Sequence, residues 1–359
     1  MDTFRKNKPG IPEVIAGPCS AESREQVLAT ARALREIGVT TFRAGAWKPR
    51  TRPGCFEGYG AEALEWIAEA KRLYGMRTLT ETATPEHLAA AVKSGVDGVW
   101  IGARTCTNPF AMQALADALA ILSPQEREGL EVYVKNPVNP DIELWTGAIE
   151  RLRLAGVKKL RAVHRGFGDY GKHIYRNPPV WRIPIELHRR MPDLLLYCDP
   201  SHIAGRADLV APLCRHALDL NFDGLFIESH CNPEQALSDS AQQVTPAELA
   251  AILDTIGTTV AVAGSSVEER LTKLRGKIDR IDDELIEVLA RRMETSDEIG
   301  SLKREAGMTV LQPGRYSRLV ENRVAEASRL GLSESFMRGI LEAIHEESVR
   351  RQLSVNFDF

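Results

Sequence analysis

The chain has 359 residues, of which 43% are hydrophobic and 26% are charged, and its formal net charge is −3. Positive and negative residues are interspersed, so neither a nucleic-acid-binding polycation nor an acidic tail is indicated. The sequence contains no signal-peptide core and no run of about 18 apolar residues, so we expect a cytoplasmic protein that binds no membrane. The six cysteines do not resemble a disulfide framework, and we expect them to be free thiols.

Residues 11–258 alternate between short β-branched apolar runs and helical segments. The predicted strands are Val14–Ser20, Thr40–Gly45, Arg77–Thr82, Gly98–Ala103, Glu131–Asn136, Lys159–Arg165, Leu194–Pro200 and Gly224–His230. Each helical segment is long enough for a right-handed crossover onto a parallel sheet. Eight such units in about 245 residues predict a closed (β/α)8 TIM barrel. The alternative is a doubly wound open sheet, which is disfavoured because no glycine-rich phosphate motif follows the first strand.

The pattern changes near residue 258. Small residues without periodicity at 259–268 predict a linker after a barrel domain at 1–258. From Glu269 the pattern is helical, with breaks at AGMTVLQPG and LGLSES. Three helices in 269–359 therefore predict a second, all-α domain.

Four potential metal ligands lie at the ends of three predicted strands or in the loops that follow them. Cys19 ends the first strand, His202 follows the seventh, Glu228 lies in the eighth and Asp239 lies in the loop after it. The site of a TIM barrel is built at these carboxyl ends, and strands one, seven and eight are neighbours when the barrel closes. A thiolate, an imidazole and two carboxylates would suit Mn²⁺, Fe²⁺, Co²⁺ or Zn²⁺. The alternative for Cys19 is a small buried hydrophobe.

Basic residues lie at the exits of other predicted strands. They are Arg43, Lys48 and Arg50 after strand two, with Thr51 beside them, Arg104 after strand four, Lys135 after strand five and Arg165 after strand six. Lysine and arginine are usually solvated wherever they occur. Cations at four strand exits of a nearly neutral protein nevertheless predict a focused anion pocket beside the metal site. Its ligand should carry several negative charges.

The segments GPCS, RAGAWKPRT, GAR, VKN, HRG, DPSH, and ESH followed by LSDS occur in this order. Together they resemble the 3-deoxy-D-arabino-heptulosonate 7-phosphate (DAHP) synthase family, whose members catalyse the first step of the shikimate pathway. The resemblance covers almost the whole barrel. The segment KPRT favours erythrose 4-phosphate as substrate over the arabinose 5-phosphate of the related octulosonate 8-phosphate synthases.

The resemblance to DAHP synthases implies a role for each of these residues. One divalent metal ion per barrel, with Mn²⁺ favoured, would be held by Cys19, His202, Glu228 and Asp239. Arg104 and Arg165 would bind the phosphate of phosphoenolpyruvate, and Arg43, Lys48 and Lys135 would lie near its carboxylate. Arg50 and Thr51 would bind the phosphate of erythrose 4-phosphate. Lys48 would also act as a catalytic residue that polarises the aldehyde.

The first predicted helix of the second domain carries a seam of residues spaced alternately three and four apart. The seam consists of Leu271, Leu274, Ile278, Ile281, Leu285, Val288, Arg292, Thr295, Ile299 and Leu302. The charge of Arg292 is costly there unless a ligand or partner meets it. Lys303 shares that face, whereas Arg275 lies roughly 100° away on an ideal helix. This geometry predicts an intertwined homodimer in which each pocket receives Arg275 from the partner chain.

The segments LRGKIDRIDDELIEVLARR, IGSLK, QPGR and EESVRRQ resemble the all-helical chorismate mutase family. The resemblance implies a cofactor-free pocket lined by Arg275, Arg292, Lys303, Arg315, Ser348 and Gln352. Arg292, Lys303 and Gln352 would be the catalytic residues. Ser348 and Gln352 are four residues apart and so share one helix face. Tyr316 departs from the family, because many members have a carboxylate at that position.

Three functions are compatible with the sequence. The leading hypothesis is a bifunctional enzyme that makes DAHP from phosphoenolpyruvate and erythrose 4-phosphate and rearranges chorismate to prephenate, with prephenate as feedback inhibitor through the mutase domain. The second is a synthase whose helical tail is a sensor and dimerisation module with weak mutase activity, which Tyr316 keeps open. The third is a barrel metalloenzyme of other substrate, such as an octulosonate 8-phosphate synthase-like barrel, with a helical interaction tail.

Overall fold

A computed structural model describes residues 12–49, 54–171, 173–257, 265–310 and 313–354, with only the backbone described at 257, 265–269 and 313–318. The chain divides into two compact units, Met1–Ala261 and Val262–Phe359. The first unit contains strands and helices, and the second is helical. None of the helices in the described ranges combines the length and the apolar character that a membrane span requires.

Eight parallel strands form a closed barrel in chain order, which confirms the predicted fold. They are β1 (Glu13–Gly17), β2 (Thr41–Arg43), β3 (Arg77–Thr82), β4 (Gly98–Ile101), β5 (Glu131–Lys135), β6 (Lys159–His164), β7 (Leu195–Cys198) and β8 (Gly224–Glu228). Strand β1 pairs with both β2 and β8, which closes the barrel. Most strands end earlier than predicted, because the residues that follow leave the sheet and form the loops of the site.

Helices surround the barrel and connect successive strands. They are α1 (Arg24–Glu36), α2 (Ala61–Tyr74), α3 (Pro85–Ser94), α4 (Ala103–Cys106), α5 (Pro109–Ala120), α6 (Pro124–Gly129), α7 (Ile142–Leu154), α8 (Arg182–Arg190), α9 (Pro200–Ala204), α10 (Val210–Asp219) and α11 (Pro246–Gly257). Several begin at a side-chain cap, as where Ser23 accepts a hydrogen bond from the backbone N–H of Gln26. Their apolar faces pack on the outside of the barrel in one continuous core.

The interior of the barrel is layered, because alternate residues of a strand point to the same face. One apolar layer is formed by Ile15, Leu79, Trp100, Tyr133, Val163, Tyr197 and Phe226. Two residues further along the chain, five of these positions are followed by ionisable residues: Glu81, Lys135, Arg165, Asp199 and Glu228. At about 3.3 Å per residue, this ionisable layer lies roughly 7 Å nearer the carboxyl-terminal mouth.

Strand β1 ends at a glycine for a steric reason. Gly17 has a φ of +155°, and a Cβ atom at this position would lie 1.9 Å from the carbonyl oxygen of Arg43. Only a residue without a side chain permits this close approach of β1 to β2. The approach places Cys19, two residues later, beside the end of β2.

The second unit consists of α12 (Ser265–Glu305), α13 (Pro313–Arg329) and α14 (Glu334–Ser354). Helix α12 begins four residues before the predicted start at Glu269, so the carboxyl-terminal part of the predicted linker is helical, and residues 258–264 lie outside the described ranges. Val320 and Val324 of α13 pack against Leu341 of α14. Helices α12 and α14 meet closely at Gly300, where a Cβ atom would lie 3.1 Å from Cα of Gln352.

The apolar seam of α12 is exposed in the single chain. Its first six members, Leu271, Leu274, Ile278, Ile281, Leu285 and Val288, are between 42% and 58% exposed. By contrast, Met293, Ser296 and Gly300, further along the same helix, are buried. The single chain therefore covers a face of the second half of α12 and leaves the seam of its first half in water.

Candidate functional site

The structure brings three of the four predicted metal ligands together at the carboxyl-terminal mouth of the barrel and places the fourth, His202, beside Glu228. The sulfur of Cys19, one oxygen of Glu228 and one oxygen of Asp239 all lie within 4.8 Å of one another. Cys19 Sγ is 3.3 Å from Asp239 Oδ2, and Nε2 of His202 is 3.8 Å from Glu228 Oε1. The register between β1 and β8, in which Gly17 pairs with Glu228, accounts for this convergence.

The donor set fits a divalent transition metal ion. One sulfur, one imidazole nitrogen and two carboxylate oxygens suit Mn²⁺, Fe²⁺, Co²⁺ or Zn²⁺. Glu228 Oε1 is buried and takes part in no hydrogen bond within the described ranges, and it lies 3.2 Å from the Arg43 guanidinium, so this oxygen faces positive charge. Burial, and then the negative charge of Glu228, raise the pKa of the Cys19 thiol to about 12, so ligation of a metal ion by this thiol would release its proton.

Asp199 was not among the predicted residues, yet it organises the centre of the site. Its Oδ1 accepts a 3.0 Å hydrogen bond from the backbone N–H of His202 and thereby caps α9. Its Oδ2 lies 2.8 Å from His202 Nδ1 and 2.7 Å from Lys135 Nζ. Contact at Nδ1 leaves Nε2 as the ring atom that faces Glu228, which is the usual outer-shell arrangement for a ligating histidine.

Arg43 and Lys48 lie beside the predicted ligands. The guanidinium of Arg43 is fully buried, with Nη1 3.2 Å from Glu228 Oε1 and its carbon 4.5 Å from the centre of the Trp100 ring. Lys48 Nζ donates a 3.1 Å hydrogen bond to the carbonyl oxygen of Cys19. Burial acts to lower the pKa of Lys48, but Cys19, in its ionised form, and the carboxylates of Glu81 and Glu228 raise it above its usual range, so Lys48 remains a cation.

A second group of cations extends from this centre. Burial, aided by the charges of Arg176 and Arg104, lowers the pKa of Arg165 to about 10. The guanidinium groups of Arg165 and Arg104 form a favourable place for a phosphate, whereas Arg176 is paired with Asp239. Arg104 itself is exposed on α4. Arg50 and Thr51, the predicted ligands of the second phosphate, lie outside the described residues.

Two further residues that were not predicted contact the carboxylates. Arg176 donates a 3.0 Å hydrogen bond to Asp239 Oδ1, and Gln242 donates a 2.7 Å hydrogen bond to Glu228 Oε2. Arg176 lies in the loop between β6 and β7, and Gln242 ends a short 3-10 helix after β8, where no periodic pattern indicates which side chains meet. No signal in the sequence pointed to this pair.

The helical unit holds a second cluster of predicted residues between α12 and α14. Arg292 Nη1 donates a hydrogen bond to Ser348 Oγ, and Lys303 Nζ donates a 3.0 Å hydrogen bond to Gln352 Oε1. Ser348 and Gln352 are 5% and 8% exposed. The close packing of the two helices at Gly300 positions these contacts. The structure thus brings four of the six predicted pocket residues together.

Arg275 and Arg315 are the other two predicted pocket residues. Arg275 is exposed and precedes Arg292 by seventeen residues on the same helix. At about 1.5 Å per residue, the two Cα atoms are separated by roughly 25 Å along the helix axis, so Arg275 of this chain does not reach the cluster. Arg315 and Tyr316 lie in α13, and their side chains are outside the described part of the chain.

Comparison with known families finds a match for the barrel and for the helical unit. Residues 10–262 match the model of the DAHP synthetase I family, and residues 274–353 match that of chorismate mutase type II. The phospho-2-dehydro-3-deoxyheptonate aldolase of Thermotoga maritima is 36% identical over 231 residues, and the match covers 64% of this chain and 64% of that protein, which is less than two thirds of its length. A 2-dehydro-3-deoxyphosphooctonate aldolase of Nitratidesulfovibrio vulgaris is 26% identical over 239 residues, covering 63% of this chain and 84% of that protein.

Solved structures give the same result. The crystal structure of the DAHP synthase of Thermotoga maritima matches with a TM-score of 0.62 at 33% identity and covers 69% of each chain. A truncated form of 3-deoxy-D-arabino-heptulosonate 7-phosphate synthase from Thermotoga maritima matches with a TM-score of 0.59 at 30% identity, covering 69% of this chain and 86% of that chain. The chain therefore belongs to the DAHP synthetase I family, and a chorismate mutase type II domain follows its barrel.

Proposed function

We propose that this protein is a bifunctional enzyme of the shikimate pathway. The barrel condenses phosphoenolpyruvate with erythrose 4-phosphate to give DAHP and phosphate, and the helical unit converts chorismate to prephenate. The proposal depends above all on the convergence of Cys19, His202, Glu228 and Asp239 beside buried cations. This arrangement combines a metal centre with a pocket for phosphorylated anions, as the condensation requires.

Different residues of the barrel have different roles in the condensation. Arg43 and Lys135 hold the carboxylate of phosphoenolpyruvate, and Arg104 and Arg165 hold its phosphate, so that its C3 faces the aldehyde carbon. When bound, the metal ion would supply Lewis-acid polarisation of the aldehyde oxygen. Lys48 donates a hydrogen bond to the same oxygen as negative charge develops there. Water then adds at the cationic C2, and loss of phosphate leaves the keto group of the product.

Substitution of Cys19 tests the barrel activity. We expect Cys19→Ala to abolish metal-dependent release of phosphate from phosphoenolpyruvate and erythrose 4-phosphate. Cys214→Ala is the matched control, since it also removes a fully buried thiol but one outside the site. Full activity of Cys19→Ala in chelator-treated buffer would refute the metal centre. Turnover with arabinose 5-phosphate instead of erythrose 4-phosphate would identify an octulosonate 8-phosphate synthase activity.

The helical pocket needs no acid, base or cofactor, because the rearrangement of chorismate is unimolecular. Arg292 binds a carboxylate, and Lys303 with Gln352 stabilises negative charge on the breaking ether oxygen. We expect Lys303→Met to fold normally and to lose most mutase activity, whereas Lys277→Met, at an exposed position of the same helix, retains it. An unchanged rate of chorismate loss in Lys303→Met would contradict this role and favour a purely regulatory helical unit.

A homodimer through the helical unit explains both the exposed seam of α12 and the distance of Arg275 from the pocket. A second copy would cover the apolar seam, and Arg275 of that copy would complete the site. Mixing two inactive variants, Arg275→Ala and Lys303→Ala, tests this idea after subunit exchange. Each mixed dimer would contain one intact pocket, so mutase activity returns. If all pocket residues came from one chain, mixing would restore nothing.

Feedback inhibition of the barrel by prephenate is part of the same proposal. Prephenate is the product of the helical pocket, which is joined to the barrel in a single chain. We expect Lys303→Met to raise the prephenate concentration that half-inhibits DAHP formation, because the variant binds prephenate weakly. Inhibition at an unchanged concentration would show that the effector acts elsewhere.

A further inference from the structure

Arg176 and Gln242 connect the two carboxylates of the metal centre through a continuous chain of hydrogen bonds. Arg176 Nη1 donates to Asp239 Oδ1 at 3.0 Å and to Gln242 Oε1 at 2.8 Å. Gln242 Nε2 donates to Glu228 Oε2 at 2.7 Å. This hydrogen-bond chain holds one oxygen of each carboxylate, in the order Asp239, Arg176, Gln242, Glu228, and the other oxygen of Glu228, Oε1, lies 3.2 Å from Nη1 of Arg43.

The held oxygens are those turned away from the other predicted ligands. The second oxygen of Asp239, Oδ2, lies 3.3 Å from Cys19 Sγ. The second oxygen of Glu228, Oε1, lies 3.8 Å from His202 Nε2. Asp239 thus presents Oδ2 to the sulfur of Cys19, and Glu228 presents Oε1 to the imidazole of His202 and to Arg43. The hydrogen-bond chain determines which oxygen of each carboxylate faces these groups.

The direction of the Gln242 amide follows from its neighbours. An arginine side chain has no acceptor, so the Gln242 atom that faces Arg176 must be the carbonyl oxygen. The amide NH₂ group is then left for Glu228, a carboxylate that accepts hydrogen bonds. Gln242 is 1% exposed, so its bond to Glu228 is shielded from water, whereas the side chain of Arg176 is 49% exposed. These hydrogen bonds therefore have one consistent direction, and Arg176 determines it.

The backbone around Arg176 is held against the element that carries His202. The Arg176 N–H donates to the carbonyl oxygen of Ala204, the last residue of α9. The side chain of the next residue, Asn177, donates a 2.6 Å hydrogen bond to the carbonyl oxygen of His202. A Cβ atom at Gly205 would lie 2.4 Å from Cβ of Arg176. This close packing fixes the position of the Arg176 backbone, from which the guanidinium extends, relative to the imidazole of His202.

The backbone conformation of Asp239 also depends on a contact with another residue. It has a φ of +47°, a left-handed conformation that costs free energy for a residue with a side chain. The ion pair with Arg176 is a contact that favours this conformation. Loss of that contact would free the carboxylate to turn, and both of its oxygens would then compete for the cation.

We propose that Arg176 and Gln242 are positioning residues that make Asp239 and Glu228 single-oxygen ligands and thereby set the affinity of the barrel for its divalent metal ion. This inference rests on the proposed function of the barrel site. Outer-shell partners of metal ligands typically contribute 10- to 100-fold to metal affinity. Arg176 also brings positive charge to the site, which by itself weakens cation binding. A net loss of affinity on its removal would therefore show that orientation outweighs charge.

Titration of metal-free protein with Co²⁺ tests the inference, because a cobalt–thiolate bond to Cys19 gives a charge-transfer absorption band. Wild-type protein is expected to show the band, and Cys19→Ala is expected to lack it. We expect Arg176→Met and Gln242→Leu each to raise the Kd for Co²⁺ by about 10- to 100-fold. Arg176→Lys, which keeps the charge on a shorter side chain without the planar guanidinium, should fall between them and the wild type. Arg206→Met is the matched control, since Arg206 pairs with Asp208 in the same part of the chain.

Activity supplies the second readout. A positioning role predicts that kcat of Arg176→Met recovers toward wild type when Co²⁺ is saturating, which damage to the fold would not allow. If wild-type protein shows no thiolate band, the proposed metal centre itself is wrong. If the band is present and Arg176→Met and Gln242→Leu bind Co²⁺ within twofold of wild type, the centre stands and the positioning role is overturned. If Arg176→Met does not fold, Arg176→Lys and Gln242→Leu decide the question by the same criterion.

Discussion

Lys135 Nζ lies 2.7 Å from Asp199 Oδ2, and the two side chains are 5% and 0% exposed. Burial acts to raise the pKa of Asp199, but the positive charges of His202 and Lys135 hold it well below its usual range. Asp199 is therefore an anion at the centre of the barrel, and it contacts both Lys135 and His202. Removal of its charge would leave Lys135 buried without a counter-ion, which is more costly than removal of a complete pair.

We predict that Asp199→Asn lowers the free energy of unfolding by about 3–5 kcal/mol and weakens metal binding by about 10- to 100-fold. The first effect follows from the unpaired lysine, and the second from the loss of the partner that orients His202. Urea denaturation and Co²⁺ titration measure them separately. Asp193→Asn is the control, because Asp193 pairs with Arg153 at an exposed position. Wild-type metal affinity in Asp199→Asn would contradict the orienting role.

We predict a pH-dependent stability that depends on His164. This side chain is fully buried among aromatic rings, with Trp181 and Phe167 at centroid distances of 5.3 and 5.6 Å. Burial lowers its pKa to about 3, whereas in the unfolded chain the value is about 6.5. Between these values the unfolded chain binds a proton that the folded chain does not. The stabilisation is therefore complete above pH 6.5 and is lost progressively as pH falls toward 3.

At pH 4.5, protonation of His164 in the unfolded chain lowers the free energy of unfolding by about 3 kcal/mol relative to neutral pH. Chemical denaturation of metal-free wild type and of His164→Phe at pH 7.5 and 4.5 measures it. The variant, which has no titrating group at this position, should lose less stability between the two pH values by about that amount. Equal losses in the two proteins would show that His164 is not held neutral by the fold.

We predict that Gly17→Ala disrupts the barrel. The added Cβ would lie 1.9 Å from the carbonyl oxygen of Arg43, and neither strand can move without loss of the β1–β2 pairing. A reduction of more than about 3 kcal/mol in unfolding free energy is expected, together with loss of synthase activity. Gly129→Ala, with no atom within 4 Å of the added Cβ, is the control and should unfold like wild type. A stable, active Gly17→Ala protein would mean that the strands are further apart.

We predict that Gly300→Leu lowers mutase activity at least tenfold. The Cβ atom alone would lie 3.1 Å from Cα of Gln352, so a larger side chain forces α12 and α14 apart and lengthens the contact between Lys303 and Gln352. Gly339→Leu is the control, since nothing lies within 4 Å of a Cβ atom there. Chorismate loss measures the mutase, and phosphate release measures the synthase. Retention of full mutase activity in Gly300→Leu would argue against a pocket built by this helix contact.

Much of the barrel was predictable because its strands leave a strong pattern. Buried parallel strands are continuous apolar runs, and the helices between them supply the spacing, so all eight strands were identified from the sequence. Residues placed by strand ends, such as Cys19 and Glu228, were predictable for the same reason: the topology determines which strand ends are neighbours.

Residues placed by loops were harder to predict. Arg176 and Gln242 reach the site from irregular segments, and no periodicity reports such contacts. Asp199 did leave a signal, since an aspartate followed by proline is typical of a helix start, and it directly precedes α9. The early start of α12 had a comparable signal in Ser265 and Glu268, which have the spacing of a capping box.

The aromatic and aliphatic layer that contains Trp100, Tyr133 and Phe226 closes the barrel below Lys135 and Asp199. Solvent and ligands can then reach these groups from only one end of the barrel. A molecule held by Arg43 and Lys135 lies deeper than one held nearer the opening, so the deeper molecule has to arrive first and depart last. Under the proposed function, the order in which the two substrates add would thus be a property of the architecture, set before any difference in their affinities.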